Sequence, residues 1–281
     1  MDRPLFNSRS FNLKVCVIIV TYNRSLLLER SLAYLRDQSD RDFEVLVVDN
    51  YSDSDTENIL SVFQGSLNIH LLKLPENTGP AGGFAEGLNW VLSRGYTHAI
   101  LMEDEILMLD PKGIAIFKSC VEENVILFPC VIGKDNVRIE YPAWYSVLIP
   151  MAIVAKAGLP KKEYFFWCED SEYIQYRLCK VFGLKIKKVG VKVMHYRADS
   201  KFQPAWKYYY KARNIFHFRV YVQTNSLWTR YRRILRTYVI LFFKILFKEN
   251  SKASKFRMLF LGIIHGIRGK LGKLVDPDKL L

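Results

Sequence analysis

The first apolar run of the chain, Val15-Cys16-Val17-Ile18-Ile19-Val20, shows no alternation with polar residues. Such a β-branched run predicts a parallel strand buried on both faces. Leu27, Leu28, Leu32 and Leu35 follow at helical spacing, with Thr21 and Asn23 both suited to capping that helix. Phe43 to Val48 repeats the strand pattern and ends at Asp49-Asn50, and Ser52-Asp53-Ser54-Asp55 then opens a helix reaching to about Phe63. Ile69 to Leu74 is a third strand, and the glycine-rich loop Glu76 to Gly83 leads into a helix from about Phe84 to Arg94. A fourth apolar run ends abruptly at Glu103-Asp104-Glu105. Strands alternating with helices predict an α/β fold with a doubly wound, mostly parallel sheet and helices on both faces.

The second half is less regular. Val125 to Val131 and Ser146 to Ile149 read as strands, with Gly and Pro breaks around them. Phe165-Phe166-Trp167-Cys168 runs into Glu169-Asp170-Ser171-Glu172, which starts a helix through Tyr173 to Phe182, with Gly183 as its C-cap. Lys185 to Val193 is a short strand ending in Met194-His195-Tyr196.

Polar residues collect where the strands end: Thr21 to Arg24, Asp49, Asn77 to Gly83, and Glu103 to Glu105. In open α/β sheets that edge forms the ligand crevice. Three adjacent acids cannot be buried unpaired without a cost of several kcal/mol each. They therefore mark a solvated turn or a site for a hard divalent cation. His195, at another strand end, is either structural or a further ligand for the same cation. Asp49 caps the following segment or accepts the imide N–H of a pyrimidine ring. The 77–83 loop carries no Walker lysine and no GxGxxG spacing, which excludes a P-loop and a dinucleotide fingerprint. Glu169-Asp170 at a helix start has two readings: a capping pair, or a general base against the aromatic wall of a sugar-accepting cleft.

The net charge of +13 is uneven. From Trp228 to Leu281 there are 13 Lys/Arg against 3 Asp/Glu, leaving 28 against 25 for everything before. This divides the chain into a near-neutral body, residues 1–225, and a basic helical tail, residues 226–281. Tyr238 to Phe247 and Phe256 to Ile267 are apolar but far short of the ~20 residues a spanning helix needs. They fit basic amphipathic helices lying on an anionic membrane, or a helical pair packed on the body. Nucleic acid is disfavoured, because so much Phe, Leu and Ile suits phosphate-binding helices poorly. Five cysteines without CxxC pairing argue against a disulfide framework, and the first residues lack the apolar core of a secretory signal. A cytoplasmic protein, peripheral on the inner face of the plasma membrane, is the expectation.

VIIVTYNR (Val17 to Arg24), VLVVDNYSD (Val45 to Asp53) and the acidic strand end resemble the inverting family 2 glycosyltransferases with the GT-A fold. NTGPAGGFAEGL (Asn77 to Leu88), FFWCEDSEYIQYRL (Phe165 to Leu178), MHYR at Met194 and YYYKARN (Tyr208 to Asn214) are similar to the rhamnosyl- and galactofuranosyl-transferase branch. The resemblance covers roughly residues 13 to 220. It implies that Thr21, Tyr22, Asn23, Arg24, Asp49, Asn77, Gly82, Gly83 and Asp104 bind a nucleoside diphosphate sugar, with UDP favoured and dTDP as the alternative. It further implies that Glu103, Glu105 and His195 hold Mn²⁺ or Mg²⁺, with Glu at two positions where the family usually has Asp. Asp170 would be the catalytic base, with Glu169 beside it. Trp167, Glu172, Tyr209 and Arg213 would meet a saccharide acceptor, lipid-linked by the argument from the tail. Galactofuranose is the favoured sugar and rhamnose the alternative. Two other classes compete: a nucleotidyltransferase, which would carry a basic glycine-rich loop where this chain has TYNR, and a non-catalytic membrane adaptor, which would leave the strand-end motifs unexplained.

Overall fold

The computed structural model describes residues 13–53, 56–133, 136–196 and 202–277. Strands β1 (Val15–Thr21), β2 (Glu44–Asp49), β3 (Ile69–Lys73) and β4 (His98–Glu103) pair in parallel in the order β3-β2-β1-β4. Helices α1 (Ser25–Arg36), α2 (Thr56–Phe63) and α3 (Gly79–Leu92) cross between them. Every residue of β1 is buried, because its two faces meet different layers. Val15, Val17 and Ile19 pack with Leu28, Leu32 and Leu35 of α1, while Cys16, Ile18 and Val20 pack with Phe84 and Leu88 of α3.

Past β4 the sheet changes direction. β5 (Ile106–Met108), β6 (Val125–Ile132), β7 (Arg138–Ile139), β8 (Tyr145–Pro150) and β9 (Lys185–His195) complete the order β3-β2-β1-β4-β8-β6-β9-β5, with β7 pairing β6. β8 runs antiparallel to β4 and β6, whereas β9 is parallel to β6. Only residues 104 and 105 separate β4 from β5, yet three strands stand between them in the sheet. Such a short connection is possible only if the sheet curls until its far edge returns over β4. The remaining helices are α4 (Gly113–Ser119), α5 (Met151–Ala157), a π-helix (Ser171–Val181), α6 (Ala205–His217), α7 (Leu227–Lys248) and α8 (Lys252–Ile267).

Several expectations need correction. The glycine-rich segment is no loop: α3 begins at Gly79, and Gly82 and Gly83 lie inside it. A Cβ on Gly83 would stand 2.4 Å from the Val20 side chain, and one on Gly82 2.3 Å from Thr78. The missing side chain of Gly83 lets α3 lie on β1, and that of Gly82 leaves room for Thr78 at the start of the helix. Gly79 turns with φ +68°, where a Cβ would strike the Phe165 carbonyl. Neither Thr21 nor Asn23 caps α1. Its N-cap is Arg24 without a side-chain bond, because the Thr21 hydroxyl is spent on Asp104 and the Asn23 amide on Asp53. The helix after Asp170 is a π-helix closed by the Phe182 N–H on the Arg177 carbonyl, five residues back, and Gly183 follows with φ +74°. β9 is eleven residues long, not short. Residues 54 and 55 of the expected Ser52-Asp55 cap lie outside the described residues.

The basic tail does not stand apart. α8 lies against α6 so closely that a Cβ on Gly262 would come within 2.3 Å of the Tyr209 carbonyl oxygen. Leu241 and Ile245 of α7 and Leu259 of α8 share one apolar cluster with Tyr208 and Ala212 of α6. At the α7–α8 turn a buried pair, Lys255 Nζ and Glu249 Oε2 at 2.5 Å, is joined by the backbone N–H of Gln203. A division at residues 225/226 therefore cuts through a shared core. The outer side of α7 still exposes Trp228, Leu235, Phe243 and Phe247 beside its arginines, and no helix among the described residues is long and apolar enough to cross a membrane.

Candidate active site

Strand register sets the rim of the site. Thr21 pairs with Asp49 and Val20 with Glu103, so the ends of β1, β2 and β4 lie level. The Thr21 hydroxyl donates to Asp104 Oδ2 at 2.9 Å, and Arg24 Nη1 stands 3.1 Å from Asp104 Oδ1 and 3.2 Å from Glu105 Oε2. The curl of the sheet then delivers His195. β5 pairs with the end of β9, the Tyr196 N–H donates to the Glu105 carbonyl, and His195 Nε2 lies 2.7 Å from Glu105 Oε1. Glu103, Glu105 and His195 each offer one ligand atom, all within 4.8 Å of one another.

Three acids against one guanidinium leave a surplus of negative charge. Burial, the Glu105 and Asp104 carboxylates and Asp170 push Glu103 up to about 8. Burial also raises Asp104 to about 6, opposed by Arg24 and the Thr21 hydroxyl. Against its own burial, Glu105 is held below the usual carboxylate range by the His195 hydrogen bond and by Arg24. Two carboxylates and an imidazole, undercompensated and within one coordination shell of each other, fit a hard divalent cation.

The other donor-side residues divide into two sets. Asn23, with φ +52°, exchanges hydrogen bonds with Asp53 and takes the Ser52 hydroxyl on its N–H, and Tyr22 is half-buried beside it. Asp49 is buried and its Oδ1 accepts the Ser52 N–H at 2.8 Å, a bond within the turn after β2 and ahead of α2. Asn77 is turned inward. Its Oδ1 accepts from Asn50 Nδ2 and the Gly79 N–H, while Asn50 Oδ1 accepts from the Thr78 N–H and hydroxyl. This amide lock fastens the end of β2 to the start of α3, and Asn50 is the member that the sequence reading missed. Its adjacency to Asp49 was the available signal.

On the opposite wall, the turn 163–170 carries the second acid pair. Asp170 Oδ1 accepts the Ser171 N–H at 2.6 Å, which offsets part of the rise that burial causes. Burial and the neighbouring Asp170 carboxylate push Glu169 well above the usual range. Glu169 Oε2 is buried without a hydrogen-bond partner among the described residues, as is Trp144 Nε1, although the indole lies near enough to oppose that rise. Asp170 raises the pKa of Glu103, and Glu103 that of Glu169, so both acid groups act on one space. Trp167 is 37% exposed, and Lys211 Nζ stands 3.8 Å above one face of its ring.

Three expected acceptor contacts fail on burial. Glu172 is locked in an ion pair with Arg177, 2.6 Å, with Lys161 at 3.4 Å. Tyr209 is fully buried with its hydroxyl on His265 Nδ1. Arg213 is fully buried and spends its guanidinium on the carbonyls of Glu163, Tyr164 and Gly272. All three are structural. A cavity of about 520 Å³ along residues 64–69 opens where β3 begins, at the opposite end of the strands from the acids.

The chain is similar to several known proteins. The chain is 32% identical over 125 residues to the GalNAc(5)-diNAcBac-PP-undecaprenol beta-1,3-glucosyltransferase of Campylobacter jejuni, covering 44% of this chain and 40% of that protein. It is 28% identical over 137 residues to the Galactofuranosyltransferase GlfT1 of Mycolicibacterium smegmatis, covering 46% and 43%. The chain thus spans less than half the length of these curated relatives. Staphylococcus aureus TarS residues 1–349 in complex with UDP-GlcNAc superimposes with a TM-score of 0.61 at 14% identity, over 92% of this chain and 82% of that one. The mannosyltransferase PcManGT from Pyrobaculum calidifontis, in complex with GDP-Man and Mn²⁺, gives 0.58 at 16% identity, over 92% and 76%. At such identities the superpositions establish the fold, which is of the GT-A type. Residues 16–102, which carry β1 to β4 and their crossovers, match the family model Glycosyl transferase family 2, and with the fold this supports a family 2 glycosyltransferase.

Proposed function

We propose that this chain is a metal-dependent, inverting glycosyltransferase that moves a hexose from a nucleoside diphosphate to a saccharide acceptor. The observation carrying the proposal is the convergence of Glu103, Glu105 and His195 opposite Asp170 at the carboxyl ends of the parallel strands. Glu103, Glu105 and His195 would hold the cation. When bound, Mn²⁺ or Mg²⁺ supplies charge neutralisation at the donor diphosphate. Thr21, Tyr22, Asn23 and Asp49 line the rim where the nucleoside would sit, and Arg24 is positioned to share the diphosphate charge.

The two acids of the turn take different parts. Like charges this close do not ionise together, so the pair holds a proton between pH values where both would otherwise be charged. Glu169, with an oxygen lacking any partner among the described residues, keeps that proton, and Asp170, supported by the Ser171 N–H, ionises first. Asp170 then removes the acceptor hydroxyl proton as the acceptor oxygen bonds to the anomeric carbon. The bond from that carbon to the diphosphate oxygen breaks on the opposite face, and its electron pair leaves with the nucleoside diphosphate. One displacement inverts the anomeric centre without a covalent enzyme intermediate. General-base assistance of this kind contributes ~10²–10⁴ in rate.

The donor we favour is a UDP-sugar, with galactofuranose ahead of dTDP-rhamnose, on the likeness to the galactofuranosyltransferase and the Trp167 to Glu172 segment. The favoured acceptor is a lipid-linked saccharide, reached from an anionic membrane at the inner face of the plasma membrane. Support comes from the undecaprenol-linked acceptor in the relative's name, from the exposed apolar side of α7, and from a groove of about 200 Å³ between Tyr238, Phe242, Phe243, Leu259 and Phe260. Release of nucleoside diphosphate from a panel of sugar nucleotides with Mn²⁺ tests the enzyme, and silence across the panel overturns it. Flotation with anionic and neutral vesicles tests the membrane. Because α8 shares a core with α6, Phe243→Ser with Phe247→Ser is a sounder probe than truncation; vesicle binding unchanged by that pair would defeat the docking surface.

A further inference from the structure

The turn that carries Glu169-Asp170 is built from backbone that L-residues avoid. Phe165, Trp167 and Cys168 all have left-handed φ, +61°, +76° and +70°. Such conformations persist only where the surroundings over-determine them. Here the surroundings are one side chain deep inside α6. Asn214 Nδ2 stands 2.8 Å from the Tyr164 carbonyl, 2.7 Å from that of Phe166 and 2.9 Å from that of Trp167. Arg213 Nη2 adds the Tyr164 carbonyl at 2.9 Å and that of Glu163 at 3.2 Å. Arg213 Nε donates to Asn214 Oδ1 at 2.7 Å, and because a guanidinium can only donate, this bond fixes which end of the amide faces the turn. Both residues are fully buried. The turn is further closed by the Ala81 N–H on the Phe165 carbonyl and the Gly272 N–H on the Glu163 carbonyl.

We infer that Asn214, oriented by Arg213, is the positioning residue of the proposed base: it holds the left-handed turn 165–168 and thereby sets where the Asp170 carboxylate stands. This rests on Asp170 acting as the base in the proposed transfer. Asn214 touches no reacting atom. It acts on the backbone three to six residues ahead of Asp170, and its amide hydrogens reach the Phe166 and Trp167 carbonyls as well as the Tyr164 carbonyl that Arg213 shares.

The test compares Asn214→Ala with Ile245→Ala, which cuts a cavity in the α6–α7 core without touching the turn. With the best donor of the panel and Mn²⁺, Asn214→Ala is expected to lose about 10² in kcat, the scale of a 1 Å misplacement, with the donor KM within about twofold. Ile245→Ala, at a similar loss of Tm, is expected to keep its kcat. Adding Cys168→Gly, which makes φ +70° permissible, should restore kcat by about tenfold in the Asn214→Ala background. A second readout needs no activity: alkylation of Cys168, assigned by mass spectrometry, should quicken in Asn214→Ala and not in Ile245→Ala. Unchanged kcat in Asn214→Ala, an equal kcat loss in Ile245→Ala, or no recovery with Cys168→Gly overturns the inference. Alkylation that distinguishes the two variants while no donor is turned over upholds the clamp and sinks the transferase. Alkylation that fails to distinguish them sinks the clamp alone.

Discussion

Two acid groups face the same space, and they are held by opposite means. The strand-end group, Glu103-Asp104-Glu105, is surrounded by side chains that answer its charge: Arg24, the Thr21 hydroxyl and His195. The turn pair, Glu169-Asp170, leans on backbone. Asp170 takes a main-chain N–H, Glu169 keeps an oxygen without a partner among the described residues, and a strained turn carries both. The first arrangement answers only part of its charge, and the surplus that remains suits the capture of a cation. The second suits one that must pick up and release a proton, since little compensates its charge.

The sharpest way to break this contrast is Asp170→Asn. It should lower kcat by ~10²–10⁴ while calorimetric donor affinity stays unchanged, and near-normal turnover would remove Asp170 from the chemistry. Next in size, His195→Ala should weaken Mn²⁺ binding by at least the ~10–100-fold that losing even a supporting contact costs, whereas Asp170→Asn should leave it nearly intact. Equal Mn²⁺ affinities for the two variants would erase the division of labour.

The pH response sharpens the comparison further. Glu103 is raised from an ordinary value of 4.5 to about 8, so the folded protein holds a proton that the unfolded chain has released. In chelator its contribution to stability is therefore complete below about pH 4.5 and lost as pH rises towards 8. Thermal melts across that window should show the decline, and Glu103→Gln should flatten it. Because a ligand must be deprotonated, apparent Mn²⁺ affinity should climb over the same window. The smallest effect concerns a residue that the sequence placed in the acceptor cleft. Tyr209→Phe loses a bond to His265 and should cost about 0.5–1.5 kcal/mol in Tm-derived stability, with kcat unmoved.

The same contrast explains what was legible in the chain. β1, β2 and β4 announce themselves because strands buried on both faces have no polar side to interrupt them, and the acids at their ends stand out against that background. His195 was readable as a strand-end imidazole, although the curl that brings it to Glu105 was not. Alternating hydrophobicity says nothing about β8 reversing direction beside β4. YYYKARN misled for a physical reason. Tyrosine, arginine and asparagine are as apt for a sugar as for an interior, and what decides is whether backbone carbonyls already claim them. Those of the turn 163–167 do, from about fifty residues earlier in the chain, and no local pattern encodes that claim. The glycines of α3 carried a similar ambiguity, since closeness to a ligand and closeness to Val20 call for the same missing side chain.

The two-residue link between β4 and β5 has a mechanical consequence. Glu103 ends β4 in the middle of the sheet, and His195 ends β9 next to its rim. Any ion gripping both would act as a rivet through the curled sheet, so that filling the site and keeping the sheet rolled become a single equilibrium. Amides of β5 and β9 would then exchange with solvent only as fast as the rivet lets go.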